Sequence, residues 1–319
     1  MTTTRLAAAD IDGRRTTVSA DDGVPLAVRT FGAADAALTV VFVHGHCLRT
    51  DSWQELRSYL ARAWQSDIRM VFYDHRGHGD SGDAPVETYT LDHLGRDLDA
   101  VLRAVAPTGP VVLVGHSMGA MTALVYARQN PGAIGTRIVG IGLIASAASG
   151  LTSSGMGRYL RRPVVSALRG AVRWAPGVMH ASKRMSHRVC EPIVRNSAFG
   201  TRKVSARTVA VAAAMLNDTS IVTMSSFLHS FMEFDESDIL PLLGRIPALV
   251  LGGDADVLTP FEHSVAMAAQ VPSSRLVCLE GAGHGVILDR AADVANSLTD
   301  LLDSVRARML TPQIELAAG

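Results

Sequence analysis

Net charge is the first thing this chain lacks. Lys and Arg number 30, and so do Asp and Glu, over 319 residues. The balance removes the electrostatic basis for a nucleic-acid binder, at least for the whole molecule, so no nucleic-acid partner is expected. Cysteine is scarce: only Cys47, Cys190 and Cys278, with no CxxC spacing. Three are too few for a disulfide framework, which fits a reducing, cytoplasmic compartment. The stretch after Met1 holds small and charged residues and no apolar core of the kind a secretory signal carries, so none is expected. A membrane span would need about 20 predominantly apolar residues. The longest uncharged run, Ala104 to Ala127, is broken by Pro107, Gly109, Pro110, Gly115 and Gly119, and the run from Ile138 to Gly157 turns to Ser and Gly in its second half. The low apolar content of a disordered chain is missing too, since 48% of the residues are apolar.

What is present is an alternation. Thr16–Ala20 and Pro25–Phe31 flank Asp22-Gly23, a hairpin signal because Gly tolerates positive φ. Continuous apolar runs follow at Leu38–Val43, Met70–Tyr73, Val111–Val114, Ile138–Ile144, Ala248–Leu251 and Leu276–Leu279. Unbroken apolar strands belong to sheets covered on both faces. Helical spacing appears between them, at Trp53, Leu56, Leu60 and Trp64, at Leu91, Leu94, Leu98, Leu102 and Val105, over Met118–Arg128, and at Val294, Leu298, Leu301 and Leu302. The pattern predicts an α/β fold with a mostly parallel central sheet and helices on both faces. No such strand occurs between Ile144 and Ala248, an interval too long for a loop. It reads as a helical insertion, which divides the chain into 1–147, 148–245 and 246–319.

Gly115-His116-Ser117-Met118-Gly119 matches G-x-S-x-G between a strand and a helix. That is the setting of a nucleophile elbow. A sharp strand-to-helix turn needs neighbours without side chains, which Gly115 and Gly119 supply, and it aims the Ser117 hydroxyl at the positive end of a helix. The plainer alternative for Ser117 is a helix N-cap. A serine hydroxyl needs a base, and there are 11 histidines. His116 adjoins Ser117 and is directed elsewhere by the turn, toward packing. His75 and His78 lie in a Gly-rich loop, His93, His229 and His263 in helical patterns, and His180 and His187 in the insertion. His284, in Gly281-Ala282-Gly283-His284-Gly285 after the last strand, is left as the base. The orienting acid belongs after the preceding strand, where Asp254 and Asp256 compete. Asp256 lies further past the strand end, with Pro260 opening the next helix; Asp254 is placed to brace the turn. For an oxyanion hole, one donor is the N–H of Met118, and the loop Val43-His44-Gly45-His46-Cys47 offers the N–H of His46 as the second.

On these residues the chain resembles the α/β-hydrolase superfamily, in its serine esterase, lipase and haloperoxidase-like group. The resemblance spans about residues 15–305 and includes Asp74-His75-Arg76-Gly77-His78-Gly79-Asp80-Ser81, which is similar to the family's D-x-R-G-x-G-x-S loop. It implies ester hydrolysis without a cofactor, with the insertion as a lid over the site. Thioesterase, lactonase, acyltransferase and cofactor-free haloperoxidase or perhydrolase activities use the same constellation, and a ligand receptor could share the fold. After His44-Gly45 many relatives carry an aromatic or small residue and then proline, where this chain has His46-Cys47. Epoxide hydrolases and haloalkane dehalogenases place aspartate at the elbow, so Ser117 argues against those activities. His44, His46, Asp74, His75 and His78 are also considered as a zinc set, but His44-Gly45 is better explained by the oxyanion loop and no metal is expected. Cys47, on the same loop, reads as a small buried hydrophobe.

The zero charge hides a segregation. Arg158 to Arg207 holds twelve Lys or Arg and one acidic residue, Glu191. Six of the 12 methionines, side chains that adapt to varied ligands, fall between residues 151 and 245. Leu160, Val164, Leu168 and Val172 share a helical face among Arg161, Arg162, Arg169 and Arg173, with Pro163 limiting the helix upstream. The ordinary reading is a solvated basic face over a packed apolar one. A basic amphipathic helix also suits peripheral contact with an anionic membrane surface. The expected substrates are small lipophilic ester or acyl compounds.

Overall fold

Six strands set the architecture, five of them with almost wholly buried side chains. They are β3 (Leu38–Val43), β4 (Ile68–Tyr73), β5 (Val111–His116), β6 (Ile138–Ile144), β7 (Ala248–Gly253) and the partly exposed edge strand β8 (Ser274–Leu279). With the hairpin β1 (Arg14–Ser19) and β2 (Pro25–Phe31) they form one 8-stranded sheet in the order β1-β2-β4-β3-β5-β6-β7-β8. β1 and β2 pair antiparallel, as do β2 and β4, and every other pair is parallel. The computed structural model describes residues 13–64, 67–159, 162–174, 198–199 and 204–317.

The period of two along each strand feeds two cores. Val41 and Val43 point to one face, Val40 and Phe42 to the other. On the first face lie α2 (Leu91–Val105), α3 (Met118–Gln129) and α7 (Phe261–Gln270), through Leu94, Leu98, Leu124 and Met267. On the second lie α1 (Gln54–Trp64) and α8 (Ala291–Ala317), through Leu56, Leu60, Trp64, Leu298 and Leu302. Thr90 caps α2 by accepting the N–H of His93.

Between β6 and β7 the described residues are helical: α4 (Arg162–Trp174), α5 (Ala206–Asp218) and α6 (Ile221–Glu233), besides short turns. Ser205 and Ser220 cap α5 and α6. α5 puts Val209, Ala212 and Met215 into the second core, and α6 puts Phe227 into the first. Leu240, Leu243 and Ile246, just before β7, are also part of the first core. In α4, Pro163 stands at the second helical position, and Val165 and Val172 are buried. Much of the basic stretch, with His180, His187, Cys190 and Leu160, lies outside the described residues. Among the described residues no single helix is long and apolar enough to cross a membrane. α5 and α6 pass that test only as a pair bent by 91°.

The parallel register brings strand ends to one edge. Val43 pairs with Tyr73 and Gly115, Gly115 with Leu143, Ile144 with Leu251, and Gly253 with Leu279. The loops leaving these ends therefore converge, and in open α/β sheets that edge is where ligands bind.

Candidate active site

At the end of β5 the chain turns into α3 within one residue. Ser117 carries that turn at φ 53° and ψ −120°, a left-handed region that non-glycine residues rarely adopt. A Cβ on Gly119 would overlap the carbonyl oxygen of Val43, and one on Gly115 the backbone of Ala120. The two glycines are therefore steric requirements of the elbow. The Ser117 N–H donates to the Ile144 carbonyl at 2.9 Å, and the Ser117 carbonyl accepts the Ser146 hydroxyl at 2.9 Å.

The three residues singled out for chemistry meet at this turn. His284 Nε2 lies 2.9 Å from Ser117 Oγ, and His284 Nδ1 lies 2.8 Å from Asp256 Oδ2. An ionised carboxylate only accepts, so Nδ1 carries the proton and the bare Nε2 faces the hydroxyl. Asp256 Oδ1 accepts the N–H groups of Leu258 at 2.8 Å and Thr259 at 2.9 Å, and Oδ2 also accepts the Thr259 hydroxyl at 2.8 Å. Burial pushes the Asp256 carboxyl up. The His284 imidazole and the hydrogen bonds from His284 and Thr259 outweigh it and hold the group below its ordinary value.

Asp254 does different work. Its Oδ1 accepts the Gly281 N–H at 2.6 Å, and the Ala255 N–H donates to the Ala282 carbonyl at 3.0 Å. These bonds dock the acid loop on the histidine loop. His116 is buried and donates from Nε2 to the His284 carbonyl at 2.8 Å, so it anchors that loop as well as packing against Trp53. Burial, and then the neighbouring His284, push His116 down to about 3. The Gly285 N–H donates to the Ala198 carbonyl, and Phe199 packs where a Cβ on Gly285 would sit.

The loop after β3 lies alongside. A Cβ on Gly45 would stand 3.1 Å from the Ser117 Cβ, which brings the Gly45–His46 peptide to the serine. The His46 ring donates from Nε2 to the Met224 carbonyl of α6 at 3.2 Å and packs edge-on to Phe227 and Phe231. Met118, wholly buried, opens α3 directly after Ser117. In the loop after β4, Asp74 accepts the N–H of Thr50 at 2.6 Å and of Asp80 at 2.9 Å. A Cβ on Gly79, at φ 54°, would overlap that carboxylate. Arg76 is buried in ion pairs with Asp97 and Asp22. The ring nitrogens of His44 and His78 are engaged with the backbone, and among the described residues no group of three or more His, Cys, Asp or Glu is arranged to hold a metal.

Sequence reading missed Thr259 and Ser146. The Thr259 signal is weak: a hydroxyl three residues after the acid. Ser146 has no local signal, because its role depends on β6 lying beside β5.

A family model described as the alpha/beta hydrolase fold matches residues 39–291. The chain belongs to that family. Among curated relatives of this hydrolase is the sn-1-specific diacylglycerol lipase ABHD11 of Mus musculus, 26% identical over 84% of this chain and 82% of that protein. Another is the bifunctional esterase/perhydrolase DCH of Acinetobacter calcoaceticus, 25% identical over 91% of this chain and 99% of that protein. Among solved structures, a thermophilic esterase from Thermogutta terrifontis superposes with a TM-score of 0.70 at 26% identity, covering 92% of this chain and 99% of that one.

Proposed function

We propose that this hydrolase cleaves carboxylic esters through an acyl-enzyme formed on Ser117. The observation that carries the reading is the line from Ser117 Oγ through the His284 ring to the Asp256 carboxylate, at 2.9 and 2.8 Å. The esterase and lipase relatives support it. His284 Nε2 takes the hydroxyl proton as Oγ attacks the ester carbonyl, and Asp256 stabilises the imidazolium that forms. The N–H groups of His46 and Met118 hold the oxyanion, each such donor contributing about 2.7–4 kcal/mol to the barrier reduction. His284 then protonates the leaving alcohol and activates the water that releases the acid. Ser117→Ala is expected to lower turnover of short p-nitrophenyl esters by about four to six orders of magnitude with the far-UV spectrum unchanged. Wild-type turnover in that variant refutes the assignment.

The Acinetobacter relative favours a second reaction at the same site. Hydrogen peroxide in place of water would attack the acyl-enzyme, giving a peracid and free Ser117. Peracid formation from an acetate ester and hydrogen peroxide, with the alcohol released on acylation of Ser117 and the enzymatic rate absent in Ser117→Ala, tests it. For substrate class, the partly buried ring of Phe231 beside His46 supports lipophilic acyl groups. The cations between Arg158 and Arg207, with Trp174 88% exposed at the end of α4, support contact with an anionic lipid surface. Equal rates on neutral and anionic lipid dispersions, at low and high salt, refute that part.

A further inference from the structure

Three imidazoles outside the Ser117–His284–Asp256 line are packed together under the oxyanion loop. His44, His75 and His78 are each 1% exposed or less. The ring centroids of His44 lie 4.5 Å from His75 and 5.4 Å from His78. Nothing in acyl transfer uses them directly, yet every one of their ring nitrogens except His75 Nδ1 is committed to backbone.

The protons can be placed from the partners. A carbonyl oxygen only accepts, so the contact of His44 Nδ1 with the Gly45 carbonyl at 2.8 Å puts the proton on Nδ1. His44 Nε2 is then bare and accepts the His75 N–H at 3.0 Å. His78 follows the same pattern. Its Nδ1 donates to the Arg76 carbonyl at 3.0 Å, and its bare Nε2 accepts the Cys47 N–H at 3.2 Å.

These bonds bracket one residue. A peptide unit is planar and trans, so its N–H and C=O point in opposite directions. Holding the Gly45 carbonyl, which also accepts the Leu48 N–H at 3.2 Å, fixes where the His46 N–H points. Holding the Cys47 N–H fixes the next peptide plane. Cys47 itself sits at φ 59°, a left-handed conformation that costs free energy unless its surroundings hold it.

We propose that His78 is a positioning residue for ester hydrolysis: its unprotonated Nε2 grips the Cys47 amide and fixes the peptide plane after His46, while His44 and Leu48 fix the plane before it, and only with both planes held does the His46 N–H stay aimed at the oxyanion. This rests on the serine-esterase reading above. Arg76 supports it from below, since the guanidinium clamped by Asp97 and Asp22 fixes the loop whose carbonyl sets the His78 tautomer. Burial, and then the neighbouring His44, keep His78 neutral by pushing it down to about 3.

Two polar substitutions separate the halves of the ring. His78→Asn keeps an N–H where Nδ1 donates to Arg76 and loses the acceptor at Nε2. His78→Gln places an amide oxygen near Nε2 and loses the inner donor. Both are assayed with p-nitrophenyl butyrate beside wild type and Ser117→Ala, with melting temperatures recorded. The expected result is a kcat about tenfold or more lower in Asn with KM within about twofold, and most of that loss recovered in Gln. Equal kcat in the two variants, or a loss carried by KM, overturns the proposal. If only Gln folds, a kcat about tenfold below wild type overturns it. Turnover by Ser117→Ala at the wild-type rate overturns the esterase reading and this proposal with it. An inactive Ser117→Ala beside a fully active His78→Asn overturns the positioning role alone.

Discussion

Lowering the pH from 7 to 5 is expected to strip this fold of much of its stability, through histidines rather than carboxylates. His44, His75, His78 and His116 are all 2% exposed or less. Burial, followed by repulsion from neighbouring imidazoles, pushes His44 down to about 4, His78 and His116 to about 3, and His75 well below its ordinary value. The hydrogen bonds agree, because protonating His44 or His78 would set two N–H donors face to face. In the unfolded chain each group titrates near about 6.5. Between that value and the folded ones the unfolded state holds the extra proton. Stability is therefore fully present above about 6.5 and falls as the solution is acidified. At pH 5 each of the three histidines near 3 or 4 removes about 2 kcal/mol. Together they remove about 6 kcal/mol, against about 5–15 kcal/mol for a whole domain. His75 acts in the same direction, and so does His46, which burial and the neighbouring His78 push down to about 3. Asp74 and Asp97, whose carboxyls burial pushes up, act in the opposite direction only around their own ionisation. Urea unfolding followed by circular dichroism at pH 7, 6 and 5 measures the effect, and the slope should reach at least about 4 kcal/mol per pH unit below pH 6. Replacing one of these histidines with a non-titrating side chain should flatten that slope by about 1.4 kcal/mol per pH unit. Stability unchanged from pH 7 to 5, or lost only below pH 4 where ordinary carboxylates titrate, refutes the reasoning.

Thr259→Val removes the hydroxyl from Asp256 Oδ2 and leaves two amide donors on Oδ1. Steady-state kinetics should show kcat lower by about tenfold with KM little changed, since a hydrogen bond to a charged group is worth about 1.5–3 kcal/mol; an unchanged kcat contradicts the role given to Thr259. Gly119→Ala adds a Cβ that overlaps the Val43 carbonyl, and thermal unfolding should show a loss of about 1–3 kcal/mol or more together with lost turnover. Gly132→Ala, where a Cβ meets nothing within 4 Å, should leave both unchanged.

Much of the fold was legible because a strand covered on both faces has no polar positions to blur it. Leu38–Val43 and Ile138–Ile144 have the same bounds in the sequence reading and in the structure, and β4, β5, β7 and β8 differ from it by a few residues at their ends. Their order in the sheet was not legible. β4 lies between β2 and β3, where Phe42 pairs with Phe72 and their rings stack at 4.5 Å, and no local pattern encodes that neighbour. The different placement of Asp254 and Asp256 follows from the loop, because a residue nearer the strand end meets the adjacent loop's backbone and one further out meets a side chain. Asp254 bonds the Gly281 N–H, and Asp256 faces His284. The histidines were legible only as a list. Their tautomers depend on which carbonyl each ring reaches, and His78 reaches Cys47 across 31 positions of sequence.

Strain shows where that limit lies. Among the described residues three non-glycine residues have positive φ: Cys47, Ser117 and Ala145. They follow the C-terminal ends of β3, β5 and β6, which are neighbours in the sheet. Such conformations cost about 1–3 kcal/mol each and persist only where the surroundings over-determine them. Here the surroundings are the strands themselves. Ser117 donates to Ile144, Ala145 donates to Leu251, and the Ser146 hydroxyl returns to Ser117, so each turn is tied to the strand beside it. Cys47 is tied instead to His78. Three unfavourable turns thus sit at one edge of the parallel sheet, two held by neighbouring strands and one by His78, and one of them presents the Ser117 hydroxyl to His284. In a sequence this strain is visible only where glycine relieves the crowding, as at Gly115 and Gly119. It is invisible where a serine, a cysteine or an alanine bears it.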